Sequence, residues 1–263
     1  MSMARRRKSG SSLATASIIL LCVLLAAAFL MMVIFSRKEP VDSTNCLMAQ
    51  APPKIISVYI DVSDPINIQQ RSKIIRKIRT LVKNELPVHG KINIYLSARS
   101  EDLERNFSEC NPGSARDLTF FGRMRTNPFI ENLKFKKFEK SLLEQLSDKN
   151  LGGAQRMSPL LENIDLIVAK DFPETSIVLK NPRQYQIVLI SDLLQNSEKV
   201  SFFKKIPTVE KIFQSIPLNY AGTFEIHELA NIKYENFQTD RVRKVWFELI
   251  RDAGGILTKK EVW

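Results

Sequence analysis

Histidine, cysteine and glycine are scarce in this chain of 263 residues, which holds two, three and nine of them. The histidine count removes most nucleophilic chemistry. His89 lies in a Pro-Val-His-Gly turn and His227 lies mid-strand beside Glu225 and Glu228, and no nucleophile elbow or Cys/His pairing accompanies either. Three cysteines with no Cys/His ligand spacing exclude a zinc module. The glycine pair Gly152-Gly153 is not followed by Lys-Ser/Thr, so it is no phosphate loop. Basic residues do not interleave with aromatics, which argues against nucleic acid. Internal repeats and low-complexity tracts are absent as well.

The net charge of +11 overstates the basic character of the folded part. Residues 1–38 hold Arg5, Arg6, Arg7, Lys8, Arg37, Lys38 and no acid, and taking those six from 39 leaves 33 basic against 28 acidic residues. The remaining basic residues fall mostly between apolar ones at helical spacing, which makes them solvated helix faces.

One long apolar run is present. Ser17 to Phe35 is uncharged, Leu13 to Ala16 extend it upstream, and the total is long enough to cross a bilayer as a helix. Four basic residues precede it and two follow, so the positive-inside bias predicts a cytoplasmic N-terminus with the rest outside. Ala26-Ala27-Ala28 offers a cleavage site, but the apolar run continues through Phe35, which predicts a retained anchor rather than a signal peptide. The expected organisation is a cytoplasmic basic tail at 1–12, a transmembrane anchor at 13–36, a linker at 37–54 and an α/β domain at 55–263. Cys46 and Cys110 both fall in the exported part, where a disulfide is chemically permitted and is favoured over two free thiols. The extended segments that carry them reach roughly 30 Å, enough for the two to meet.

Within the domain, Ile55 to Asp61 reads as a buried strand. Asp64-Pro65 looks like a helix start, and Ile74, Ile75, Ile78, Leu81, Val82 and Leu86 follow at helical spacing until Pro87. Lys91 to Ala98 alternates as a second strand, so the first three elements make a β-α-β unit with parallel strands. Residues 99–128 form a long insertion, part of it a possible short edge strand, and Ile130 to Lys149 a helix. Ser158-Pro159 opens another helix through Ile164, Ile167 and Val168. Gln184 to Asp192 is the most strand-like stretch. A loop spans Leu193 to Ser201, a short helix Thr208 to Ile216, a strand Thr223 to Leu229. A terminal helix, Thr239 to Ala253, is closed by Gly254-Gly255. The alternation predicts a three-layer, Rossmann-like α/β domain with a mostly parallel central sheet.

Two of these strands end in acids, Asp61 and Asp192, and the loop with Gly152-Gly153 delivers Ser158. In a parallel sheet, strand C-termini and helix N-termini share one edge, so Asp61, Ser63, Ser158 and Asp192 are expected to converge. Two carboxylates and two hydroxyls are hard oxygen ligands suited to Mg²⁺, with a position left for an acidic group on a partner. Asp64, Gln195 and Asn196 complete the expected partner-binding surface.

At these residues the chain resembles the von Willebrand factor A-type domains. Asp61-Val62-Ser63 matches the first two positions of their Asp-x-Ser-x-Ser motif, with Pro65 at the last. Ser158-Pro159-Leu160 stands where they have Thr-Pro-Leu, and Asp192 where they have an Asp, with Leu193 replacing the usual Gly. The chain is similar in particular to bacterial membrane-anchored A-type-like proteins of unassigned role. They share an anchor, a Cys before strand one, an Asp-x-Ser/Thr-Asp-Pro turn, a Cys-Asn-Pro-Gly loop and an Ile-Ser-Asp-Leu-Leu-Gln-Asn-Ser strand end. The resemblance implies a single-pass protein of the bacterial inner membrane, with a non-catalytic, protein-binding domain in the periplasm and a Mg²⁺ site. The partner expected is a membrane-associated or periplasmic protein. Two other readings compete: a Mg²⁺-dependent phosphatase-like hydrolase using the same acids, and a scaffold whose crevice is inert. A haloacid-dehalogenase-like phosphatase needs a second Asp two positions after the first as general acid, and Ser63 occupies that place.

Overall fold

The computed structural model describes residues 10–34, 40–97, 103–147, 151, 157–203 and 205–263. It divides into two units, Met1–Pro40 and Val41–Trp263. The glycine pair at 152–153, Ala98, residues 99–102 of the insertion and parts of the tail and linker lie outside the described residues.

The first unit contains helix α1, Gly10–Ile34, whose 25 residues include no charged side chain. Among the described residues no helix is long and apolar enough to cross a membrane. On α1 side chains are described only from 15 to 31, and those alone fall short of the ~20 residues that a span requires.

The second unit is built on strand β1, Ile55–Ile60. Helix α2, Ile68–Thr80, follows and ends in a π-helical turn, Leu81–Glu85. Next come β2 (Lys91–Leu96), β3 (Phe107–Cys110), α3 (Phe120–Arg125) and α4 (Pro128–Glu144). The chain continues through α5 (Leu160–Asp171), α6 (Thr175–Lys180), β4 (Tyr185–Ser191), α7 (Val209–Ser215), β5 (Gly222–Glu228), α8 (Asp240–Asp252) and β6 (Gly255–Val262). The six strands lie in the order β3-β2-β1-β4-β5-β6. All neighbours are parallel except β2 and β3. This is the three-layer, mostly parallel arrangement expected from the alternation of elements.

Each face of the sheet buries its own core, as a sheet of parallel strands requires. On one face Ile56, Val58, Ile60, Ile92 and Val188 pack against Ile74 and Ile78 of α2 and Phe138 and Leu142 of α4. On the other, Tyr59, Leu189, Phe224 and Ile226 pack against Leu161 and Ile164 of α5 and Trp246 and Leu249 of α8. β1 is buried on both sides, which is why its sequence reads as a continuous apolar run.

Several local expectations are corrected. Helix α2 does not start at Asp64-Pro65. Asn67 caps it, accepting from the Gln70 amide at 2.9 Å, while Gln70 Oε1 accepts from the Asn67 amide at 3.1 Å. That reciprocal pair satisfies two orphan amides where an Asp cap satisfies one. Ser158 does not cap α5: Pro159 holds the cap position without a side-chain bond. The insertion contains the antiparallel edge strand β3 and helix α3. Gly254 turns the chain at φ 90 directly into β6, an edge strand hidden in the sequence by its exposed Lys259, Lys260 and Glu261.

Cys46 and Cys110 form a disulfide that closes a loop across 64 positions, and the Cys110 amide donates to Thr44 O at 2.8 Å. The bridge pins the segment ahead of β1 to the edge strand β3. Replacing both cysteines by serine is expected to lower unfolding free energy by about 4 kcal/mol, the loop-entropy value for this length, read by chemical denaturation. Equal midpoints for the variant and the parent would show that the bridge does not constrain the unfolded chain.

Candidate functional site

In an open parallel sheet, ligands bind beyond the strand C-termini where the strand order reverses. Here the reversal falls between β1 and β4, and the residues that leave those two strands are Asp61 and Asp192. The Asp61 amide still bonds Ile190 O at 2.8 Å, so the ladder holds the two strand ends together.

Asp61 is buried and organises the edge. Its Oδ1 accepts the Ser63 amide at 3.0 Å, and its Oδ2 accepts the hydroxyls of Ser158 and Ser191, each at 2.9 Å. Asp192 is also buried. Its Oδ1 accepts the Leu194 amide at 2.9 Å and its Oδ2 accepts Asn231 Nδ2 at 2.9 Å. The same Asn231 nitrogen donates to Asp64 Oδ2 at 3.0 Å, so one amide bridges two carboxylates. Gln238 supports this arrangement by donating to Asp192 O and Leu229 O while accepting from the Asn231 amide. Between the strands' ends and the α2 start lies a pocket of about 320 Å³, lined in part by Asp61, Ser63, Asp64, Asp192 and Ile232.

The charge of this crevice sets it apart. Among the described residues, Asp171 meets Arg105 at 2.8 Å, Glu225 meets Lys77 at 2.7 Å, and Glu228 meets Arg243 at 2.8 Å. Asp61 and Asp192 have no such cation among these residues, and Lys233 stands 3.9 Å from the neighbouring Asp64. Burial in the first place, and then the neighbouring Asp61 and Asp64 charges, push the Asp192 carboxyl up to about 7, against the pull of the Leu194 and Asn231 donors. The site meets its excess of negative charge with neutral donors and a proton.

The expected ligands Asp61, Ser63, Ser158 and Asp192 do reach one edge, and Asp61 joins Ser63 and Ser158 directly. As arranged they do not fit a cation. Each Asp61 oxygen is engaged by protein donors, and the Asn231 amide bridges Asp64 and Asp192 where a cation between them would sit. Among the described residues no group of three or more His, Cys, Asp or Glu side chains is disposed to hold a metal. Gln195 does not face a partner. It is fully buried, accepts the Leu161 amide at 2.9 Å and donates to Glu162 at 2.8 Å, which locks the loop after β4 to α5. Asn196 pairs through its backbone with Ser158, which holds Ser158 in reach of Asp61. Leu193 takes φ 64, a left-handed conformation that costs a non-glycine residue about 1 kcal/mol or more. Its side chain is buried and its carbonyl accepts Trp246 Nε1 at 2.9 Å.

Sequence reasoning missed Ser191, Asn231 and Gln238 as site residues. Ser191 was legible as the residue before the strand-end acid. Asn231 and Gln238 follow β5, and only the neighbouring position of β5 beside β4 brings them to the crevice.

No protein-family model matches the chain, and no curated protein matches it. Among solved structures it is similar to proximal thread matrix protein 1 from the mussel byssus. The TM-score is 0.40 at 12% identity, over 76% of this chain and 47% of that one. A second structure of that protein, with a zinc-occupied MIDAS motif, gives 0.39 at 13% identity over the same shares. The chain thus spans about half the length of those structures.

Asp192 makes a pH prediction. Its folded carboxyl holds a proton more tightly than the unfolded one. The stability this confers is complete below about pH 4 and is lost as pH rises through about 7. The wild-type domain is expected to lose on the order of a few kcal/mol between those limits, and Asp192→Asn to flatten that part of the profile. Parallel denaturation profiles for the two proteins would show that Asp192 does not hold the proton.

Proposed function

We propose that this chain is a non-catalytic protein-binding module, held at a membrane by α1, that docks a partner at the crevice after β1 and β4. One observation carries the reading: the buried Asp61 and Asp192, which no cation pairs among the described residues, line one pocket with Ile232, which is 90% exposed. An exposed isoleucine gains by burial, and carboxyls answered only by neutral donors gain from a cation. A partner that supplies an apolar contact with a lysine, an arginine or free backbone amides answers both needs. This differs from the acidic partner group that a bound cation would have called for.

Several features support the non-catalytic reading. The oxygens of Asp61 are committed to holding three segments together, so the carboxylate is not presented as a nucleophile. His227 is fully buried on β5, where its Nε2 meets Glu225 at 3.0 Å, and it does not line the crevice.

The membrane reading rests on the sequence, where the uncharged run from Leu13 to Phe35 exceeds the ~20 residues that a hydrocarbon core of ~30 Å requires. Arg5 to Lys8 ahead of it favour a cytoplasmic N-terminus. The Cys46–Cys110 disulfide suits an oxidising compartment, which supports the periplasmic reading. Mg²⁺ is the ion that suits these oxygen donors, and its binding requires the Asn231 amide to leave Asp64 and Asp192.

A photoreactive residue at Ile232 tests the docking site in cells, with Leu179, exposed on α6, as control. The expected result is an adduct of defined mass from position 232 alone, weakened when Asp64→Lys reverses the charge beneath it. Equal labelling from both positions, or none from 232, would sink the crevice as a docking site. Melting curves with millimolar Mg²⁺ are expected not to move. A rise that Asp61→Ala abolishes would bring the ion into the site, and phosphatase turnover lost in the same variant would favour the hydrolase.

A further inference from the structure

Helix α4 carries apolar residues on two sides. Phe138 and Leu142 face the core. At about 3.6 residues per turn, Phe129 and Leu133 fall on the opposite side. Phe129 is 73% exposed, Leu133 57% and Ile130 48%, and Phe120 at the start of α3 is 71% exposed. An apolar surface of this kind on a folded domain marks an interaction site.

The charges of this segment are mostly basic. Arg116, Arg123, Lys136 and Lys137 are exposed. Three of its four acids are paired with lysine or arginine: Glu131 is buried and meets Lys134, Glu139 meets Arg79 and Lys83, and Glu144 lies 3.8 Å from Lys140. The fourth, Asp117, accepts from Ser114. The segment therefore offers exposed Phe, Ile and Leu among an excess of basic side chains. That combination matches an anionic lipid surface, where apolar side chains enter the acyl boundary and basic ones meet headgroup phosphates.

Position within the domain agrees. The chain enters the domain at Val41, and the Cys46–Cys110 disulfide ties that entering segment to β3. Five residues beyond Cys110, the Ala115 amide donates to Asn132 Oδ1 in α4 at 3.0 Å. The five residues from Cys110 to Ala115 span at most roughly 17 Å, so the disulfide and this short link tie the entering segment to the first turns of α4.

We propose that the outer face of α3 and α4 lies on an anionic bilayer, with Phe129, Ile130 and Leu133 in the acyl boundary and Arg123, Lys136 and Lys137 at the phosphates. This deepens the membrane reading of the preceding section and depends on a different segment from the α1 anchor.

The test uses the full chain carrying Phe129→Trp, in nanodiscs of brominated lipid that are either zwitterionic or part phosphatidylglycerol. The expected result is co-migration with both discs, with the added indole emission quenched strongly only in the anionic disc. The quenching is expected to fall at 1 M salt, where the Debye length is about 3 Å, and in Lys136→Glu/Lys137→Glu. Co-migration with the anionic disc alone would support the patch and remove the anchor. Co-migration with both discs and no quenching would overturn the patch and keep the anchor. Failure to join either disc would overturn both. Cross-links from position 129 to a second protein or a second copy, without quenching, would assign the face to a protein instead.

Discussion

One carboxylate holds the functional edge of this domain together. Asp61 accepts from Ser63 in its own turn, from Ser191 at the end of β4 and from Ser158 ahead of α5. Three segments far apart in sequence meet on two oxygens. Without Asp61 two buried hydroxyls and an amide lose their acceptor, each a desolvated group that costs about 1–3 kcal/mol when left unpaired. The pocket's walls are thus positioned by the residue at its floor.

The same arrangement explains the electrostatics. Cations answer the acids elsewhere in the interior: Lys77 on Glu225, Arg243 on Glu228, Arg105 on Asp171. At the crevice only neutral donors answer Asp61 and Asp192, and the carboxyl of Asp192 keeps its proton to about pH 7. The exposed Ile232 adds an apolar side chain beside the pocket's acids.

Much of the fold was readable because burial leaves a direct trace. β1 and β4 are buried on both faces and read as mostly apolar runs, and α2 and α8 show their inward residues at helical spacing. β6 was not readable, because an edge strand need bury little and Lys259, Lys260 and Glu261 mask it. The start of α2 was misplaced because Asp64-Pro65 is a good local cap, and the competing Asn67–Gln70 pair wins only when both side chains are satisfied together. Of the site, Asp61 and Asp192 stood out as acids closing apolar strands. Gln195 looked like an exposed loop residue and is instead a buried strut, since its side-chain amide bonds Leu161, Glu162, Ser197 and Val200.

What the sequence determined alone was the α/β alternation, the two strand-end acids and the uncharged apolar segment ahead of the domain, because each is written in local periodicity or composition. Only the tertiary structure decided that Asn231 bridges Asp64 and Asp192, that Ser191 and Ser158 share one Asp61 oxygen, and that α4 turns a second apolar face outward. Hydrogen bonds between distant segments depend on which strands become neighbours, and no local pattern in a single chain records that choice.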